Sequence, residues 1–439
     1  MLIATALLAA AASTQQVRDL IAADRWKEAL AEAQQLAQDQ PGPEATTVLG
    51  EALYRAGKID EAAEALAPLA ATEGAPPRAL AQLGLARAAQ GKGEEARGLL
   101  ERAAMEAPDD PWILLRAAGA SATRARAVEV LEAYLAHGEG EDKERLEGAR
   151  GTVRLYRALG ERKVWIPVAR PPRVVLPLKP IVGGAGYFVE MLAEKKKVRL
   201  LLDSGSSGVF VVERAVKKAG YAPLSEETVF AGGGEGRAAS VRGVISRVAF
   251  GGVVFSDALV TTTQDEFDSQ GRIHGVLGLS VFSGYRITID LAVGRLVLET
   301  AGDTPSGSPY WNVEGQMLVR VRAGDGADGL FLFDTGAFRS MIDTGFAATV
   351  PGAKLGAPAG VRTYGGNVAD AQVASGIPLS FQSLPRASGP FNASSLSKRS
   401  RLGGVEVSGF LGMDLLAACT IVVDTRSQRV EVTPAARRR

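Results

Sequence analysis

Leu200-Leu-Leu-Asp-Ser-Gly-Ser-Ser207 and Phe331-Leu-Phe-Asp-Thr-Gly-Ala337 decide the fold. Each runs an apolar strand straight into an Asp, at 203 and at 334, followed by a hydroxyl residue and Gly. Two carboxyl groups brought face to face cannot both ionise cheaply. They share a proton, so that one can act as base on a water while the other acts as acid.

In a chain with 51 glycines such a triplet arises by chance, so the surroundings decide. After Asp203 come His274-Gly-Val-Leu-Gly-Leu-Ser-Val-Phe282, Arg286-Ile-Thr-Ile-Asp290 and Arg295-Leu-Val-Leu298. After Asp334 come Gly409-Phe-Leu-Gly-Met-Asp-Leu-Leu416, Thr420-Ile-Val-Val-Asp424 and Arg429-Val-Glu-Val432. The interval from Gly278 to Asp290 equals that from Gly412 to Asp424, and the interval from Asp203 to Gly278 is only three positions shorter than that from Asp334 to Gly412. Upstream, Tyr187-Phe-Val-Glu-Met-Leu192 and Met317-Leu-Val-Arg-Val-Arg322 read as strands, each followed by a polar turn and the strand that ends in Asp. Self-similarity at a long fixed period means one structural unit used twice. A pseudo-twofold would oppose the two Asp loops.

On these motifs the chain from near Trp165 onward resembles the retropepsin-like aspartic proteases, with pepsin's arrangement of two lobes in one polypeptide. The resemblance rests on Asp-Ser/Thr-Gly and on the later hydrophobic-hydrophobic-Gly runs Val276-Leu277-Gly278 and Phe410-Leu411-Gly412, which in the family lie beside the catalytic loop. It implies that Asp203 and Asp334 are the catalytic pair, that Ser204 and Thr335 lock the loops by hydroxyl bonds, and that Gly205 and Gly336 let the backbone pass close. A Cβ at either glycine would push the carboxylates apart.

The family covers its cleft with a mobile hairpin tip. Ala231-Gly232-Gly233-Gly234-Glu-Gly236 and Tyr364-Gly365-Gly366-Asn367 are the candidate flaps, with ordinary glycine-rich turns as the alternative. Tyr364 resembles the flap tyrosine of pepsin-like enzymes but falls in the second lobe, where they have it in the first. The lobes also differ after the catalytic Gly, with Ser206 in one and Ala337 in the other. Bonds to the ionised form lower a carboxyl pKa, so this asymmetry leads to the expectation that Asp334 is the harder to ionise and that the pH optimum is mildly acidic.

The N-terminal part, as far as about Gly160, is rich in Ala, Leu, Glu and Arg with helical periodicity. Pro43, Pro77 and Pro111 recur at intervals of 34, as do Leu49-Gly50 and Leu83-Gly84, and Gly57 and Gly91; Ala29, Ala62 and Ala96 recur at 33 and 34. That period is the tetratricopeptide signature. Segments beginning at Trp26, Ile59 and Gly93 read as second helices of successive units, with a degenerate further repeat near Ala118 to His137. Such an array is expected to bind a protein partner on its concave face, or else to space or cap the lobes.

The expected organisation is multidomain: an N-terminal signal at 1–13, an all-α tetratricopeptide solenoid at 14–160, a Pro-rich basic linker at 161–183, then an all-β two-lobed protease, lobe one at 184–302 and lobe two at 303–435. The linker carries Pro167, Pro171, Pro172, Pro177 and Pro180, which rule out helix, and resembles a zymogen prosegment less well than a plain connector. The apolar run from Leu2 to Ser13 reads as a weak secretory signal lacking a leading Lys or Arg, and an early first repeat helix is the alternative. A secreted or periplasmic location is expected from it, with the cytoplasm left open. No later run is apolar enough to span a membrane, and a net charge of +1 offers no nucleic-acid footprint.

Cys419 is the lone cysteine, so no intrachain disulfide or Cys-cluster zinc site exists, and its hydrophobic strand points to buried packing. Two histidines, His137 and His274, are too few for a metal-binding trio, and His274 reads as structural because Ser408 stands at its place in the second copy. No metal or organic cofactor is implied. The leading expectation is an aspartic endopeptidase, a monomer with an intramolecular dyad acting on a peptide or protein substrate. The alternatives are a noncatalytic peptide-binding scaffold, and a site formed by like lobes of two chains.

Overall fold

The computed structural model describes residues 13–181, 186–268, 270–303, 306–363, 366–384 and 389–435, except that side chains of 227–238 and 362–367 are not described and residues 231–236 and 364–365 lie outside. The expected signal at 1–13 and the tail at 436–439 fall almost wholly outside these residues. Two compact units divide the chain: one runs to Ser121 and takes in Gly404–Glu406, and the other comprises Ala122–Gly403 with the segment from Val407 onward.

The first unit is a row of helices, Thr14–Ala22, Trp26–Asp39, Pro43–Arg55, Ile59–Ala70, Pro77–Ala89, Gly93–Glu106 and Pro111–Ala120. Pro43, Pro77 and Pro111 each occupy the first helical turn, where the missing N–H costs nothing and the fixed φ suits the helix. The recurring small residues mark where helices touch. A Cβ on Gly50 would meet the Leu66 side chain at 2.5 Å, and one on Gly84 would meet Leu100 at 2.8 Å. Ala29, Ala62 and Ala96 are buried, and Gly57 and Gly91 take φ of 76° and 77° to reverse the chain into the second helix of each pair.

The second unit opens with helices Arg124–His137 and Lys143–Leu159. Leu155 and Leu159 of the latter pack against Val244 in the β region. Each lobe then repeats one pattern. In lobe one the strand Lys196–Leu202 pairs in parallel with Gly275–Leu277, which runs antiparallel to Val209–Val212. In lobe two Ala327–Phe333 pairs in parallel with Gly409–Leu411, which runs antiparallel to Met341–Asp343. The registers coincide: Leu202 faces Leu277 and Phe333 faces Leu411. In lobe one the sheet closes on itself through the pairing of Arg237–Phe250 with Val253–Thr263.

A six-stranded sheet joins the lobes, in the order Ser308–Pro309, Arg429–Pro434, Cys419–Asp424, Arg286–Asp290, Arg295–Glu299 and Arg173–Pro177. At its centre the duplicated segments pair with each other, Ile287 with Val423 and Ile289 with Ile421. Cys419 is buried in this sheet as a free thiol. The Pro-rich segment is extended, but Arg173–Pro177 is a paired strand and not a plain connector, with Val174 and Leu176 buried and the alternate residues exposed. Proline is tolerated because this strand lies at the sheet edge. Ile166–Ala169 pairs with Val253–Thr263 in the same way.

Candidate functional site

Backbone geometry brings the two Asp loops together. The N–H of Asp203 donates to the carbonyl of Leu277 at 3.0 Å, and that of Asp334 to the carbonyl of Leu411 at 3.0 Å, so the hydrophobic-hydrophobic-Gly runs anchor both loops from below. Gly278 and Gly412 are required there. A Cβ on Gly278 would stand 2.2 Å from the Ser206 carbonyl oxygen, and one on Gly412 2.6 Å from the Arg339 carbonyl carbon. His274 is a strut of the same scaffold, its Nδ1 accepting the Arg199 N–H at 3.0 Å.

The loops interlock across the pseudo-twofold. Ser204 Oγ donates to the Phe333 carbonyl at 2.7 Å and accepts the Thr335 N–H at 3.0 Å; Thr335 Oγ1 donates to the Leu202 carbonyl at 2.8 Å and accepts the Ser204 N–H at 3.0 Å. Both hydroxyls are buried, so all four bonds are shielded from water. A Cβ on Gly205 would lie 2.7 Å from Cγ of Asp334, and one on Gly336 2.4 Å from Cγ of Asp203. Each glycine thus seats the carboxyl of the opposite lobe.

The carboxyls hydrogen-bond each other. Burial, then the charge of Asp334 and the bond to it, holds the Asp203 carboxyl well above the usual carboxylate range. Burial also raises Asp334, but the charge of Arg399, the bond from Asp203 and the N–H groups of Gly336 and Ala337 act against that rise. With both buried carboxyls raised, the pair is suited to sharing one proton. The hydrogen bond that the Ser206 and Ala337 asymmetry was expected to remove is present. The Ala337 backbone N–H donates to Asp334 Oδ1 at 3.0 Å, beside that of Gly336 at 2.8 Å, whereas Asp203 Oδ1 receives the Gly205 N–H at 2.9 Å. Ala337 has no side-chain hydroxyl, and its main chain supplies the donor. Such a pair can take a proton from a water and deliver one to a carbonyl oxygen.

The candidate flaps are described only in part. The arms Tyr221–Phe230 and Arg237–Phe250 pair antiparallel, as do Val361–Thr363 and Gly366–Val368. Gly232, Gly233, Gly234, Tyr364 and Gly365 lie outside the described residues, and of Gly366 the strand pairing alone is described.

Two neighbours escaped sequence reasoning. Gln316 Nε2 donates to the Gly205 carbonyl at 3.3 Å. Arg399, on the helix Ser397–Gly403, exerts its charge on both aspartates and stacks over Phe410 at 5.1 Å from the ring centroid. No motif flags it, and among the described residues its helix has no counterpart in the first copy of the duplicated pattern. Among the described residues no group of three or more His, Cys, Asp or Glu is placed to hold a metal ion, and no helix is long and apolar enough to cross a membrane.

Residues 189–281 match the family model described as Aspartyl protease, and residues 14–76 and 47–111 match Tetratricopeptide repeat. The chain carries tetratricopeptide repeats followed by an aspartyl protease domain. The protease match takes in Asp203 and Gly278 and ends before Asp334, so the second copy of the fold is seen in the internal duplication. No curated protein matches the chain. Among solved structures, the crystal structure of Basic 7S globulin from soybean is similar at 12% identity and a TM-score of 0.36, covering 60% of this chain and 95% of that one.

Proposed function

We propose that the chain is an aspartic endopeptidase in which Asp203 and Asp334 activate a water, with its repeat array binding a protein partner. The observation that carries this reading is the reciprocal seating of the two carboxyls, each against the glycine of the opposite loop, with the loops tied by the Ser204 and Thr335 hydroxyls. Ionised Asp334 takes a proton from the water as its oxygen bonds to the scissile carbonyl carbon, and Asp203 gives its proton to the carbonyl oxygen. The tetrahedral diol then collapses with C–N cleavage as a proton passes to the leaving nitrogen, giving a carboxylic acid and an amine. No covalent enzyme intermediate is needed.

The test is cleavage of unfolded casein from pH 3 to 7 (a range of about four units spanning the carboxyl region) by wild type, Asp203→Asn and Asp334→Asn. Loss of turnover by roughly 10²–10⁴-fold in each variant is expected, with pepstatin inhibiting the wild type. Equal activity in all three proteins would remove the dyad from the mechanism. Absence of cleavage under every condition would leave the lobes as a peptide-binding scaffold.

A further inference from the structure

Arg399 is a half-buried cation whose donors are not taken up by any hydrogen bond among the described residues. Its Nε is sealed from solvent with no hydrogen-bond partner, although the residue keeps part of its surface exposed. Among the described residues it makes no ion pair and no hydrogen bond; its one direct partner is the Phe410 ring beneath it. A guanidinium carries five N–H donors in a planar fork, and leaving such a group desolvated and unpaired is costly. Contact with an aromatic ring uses the charge but none of the N–H donors, and such a fork can grip a carboxylate through two parallel bonds.

Its aromatic partner places it beside the Asp334 loop. Phe410 lies in the strand that pairs with residues 331–333, which lead into Asp334, and Leu411, the next residue, anchors the Asp334 loop. The charged groups that feel Arg399 are Asp334, Asp203 and Glu314. The dyad does not use its donors, because Asp334 is already held by the N–H groups of Gly336 and Ala337 and by Asp203. The helix is fixed from behind, where the Lys398 ammonium lies 3.9 Å from Glu144, Arg145 donates to the Arg401 carbonyl at 3.1 Å, and Ser400 Oγ accepts the Val407 N–H at 3.0 Å.

We infer that Arg399 recognises a carboxylate of the peptide next to the scissile bond, making it a specificity-determining residue of the site. The inference rests on the protease reading for what the peptide is doing there, but binding alone can test it. The carboxylate belongs to an acidic side chain or to the peptide's C-terminus, and both sources present the same fork-matching group.

The experiment measures binding of short extended peptides to the full-length Asp203→Asn chain, which mimics the protonated aspartate and stops turnover. One pair of peptides differs by Glu against Gln, the other by a free against an amidated C-terminus. One pair is expected to show tighter binding of the acid by roughly 10- to 100-fold, with the preference gone in Asp203→Asn/Arg399→Met and partly kept in Asp203→Asn/Arg399→Lys. The pair that discriminates names the source. Removing an unpaired half-buried cation should leave the unfolding transition unchanged or raise it, which a structural Arg would not allow. No preference in either pair, or a preference that survives Arg399→Met, overturns the inference. If Arg399→Met does not fold, the Glu and Gln comparison in Asp203→Asn and its Lys variant still decides. Wild-type hydrolysis of the same peptides is scored separately. Selective binding without turnover sinks the protease reading and keeps the site, whereas turnover without selectivity does the reverse.

Discussion

At the scale of single residues the site is a problem of closeness. Gly336 leaves no room for a methyl group, since its Cβ would stand 2.4 Å from the Asp203 carboxyl carbon. Gly336→Ala is expected to separate the dyad and abolish turnover, with destabilisation of about 1–3 kcal/mol by overpacking, read from urea unfolding beside the casein assay. Closeness also has a pH signature. Because the folded-state pKa of Asp203 is raised, its contribution to stability is fully present below the unfolded value and is lost as pH rises through the folded one. Melting temperature should therefore fall from acid towards neutral pH in wild type relative to Asp203→Asn, and parallel curves for the two proteins would contradict the shared proton. Arg399 acts the other way on both aspartates, so Arg399→Met should move the pH–rate profile to higher pH. That the aspartates, hydroxyls and glycines come together was legible because their side chains, or the lack of one, mark the repeated motif. The Ala337 donor was not, because a backbone N–H is blind to residue type, and Arg399 was not, because its meaning comes from a fold neighbour and not from a repeated motif.

Elements were legible where they recur. The helix starts at Trp26, Ile59 and Gly93 and the prolines at Pro43, Pro77 and Pro111 stand where the repeat period puts them. The reason is physical: each recurring small residue is a helix contact. Gly50 faces Leu66 so closely that Gly50→Ala should cost about 1–3 kcal/mol of repeat stability, and Leu66→Ala in the same chain should recover part of that loss. Additive losses in a double-mutant cycle monitored by far-ultraviolet circular dichroism would show that the two positions do not touch. Less legible was the strand Arg173–Pro177. The prolines in and around it announce extended backbone, but an edge strand and a free connector share that composition, and the difference lies in a partner, Arg295–Glu299, far along the chain. The alternation of buried Val174 and Leu176 with exposed neighbours was the available signal.

At the scale of the molecule the protease part is two copies of one pattern that share a sheet. Arg286–Asp290 from the first copy and Cys419–Asp424 from the second lie side by side at its centre, with Ile287, Ile289, Ile421 and Val423 all buried. The duplication was legible as matched spacing, whereas the direct pairing of the copies was not, because register between distant strands is set in three dimensions. That pairing bears on whether the dyad is built within one chain. A fragment ending near residue 302 would expose the Arg286–Asp290 strand as an open edge bearing two fully buried isoleucines, and such an edge seeks another strand. The nearest equivalent is the same strand of a second copy, which an isologous twofold would bring into antiparallel pairing and which would set two Asp203 loops opposite each other. Residues 161–302 expressed alone are therefore expected to self-associate, while the full chain sediments as a monomer with turnover per molecule independent of dilution. A monomeric, soluble fragment would mean that the central sheet does not hold the two copies together. Turnover of the full chain that falls on dilution, in step with a dimer dissociating, would place the working dyad between chains.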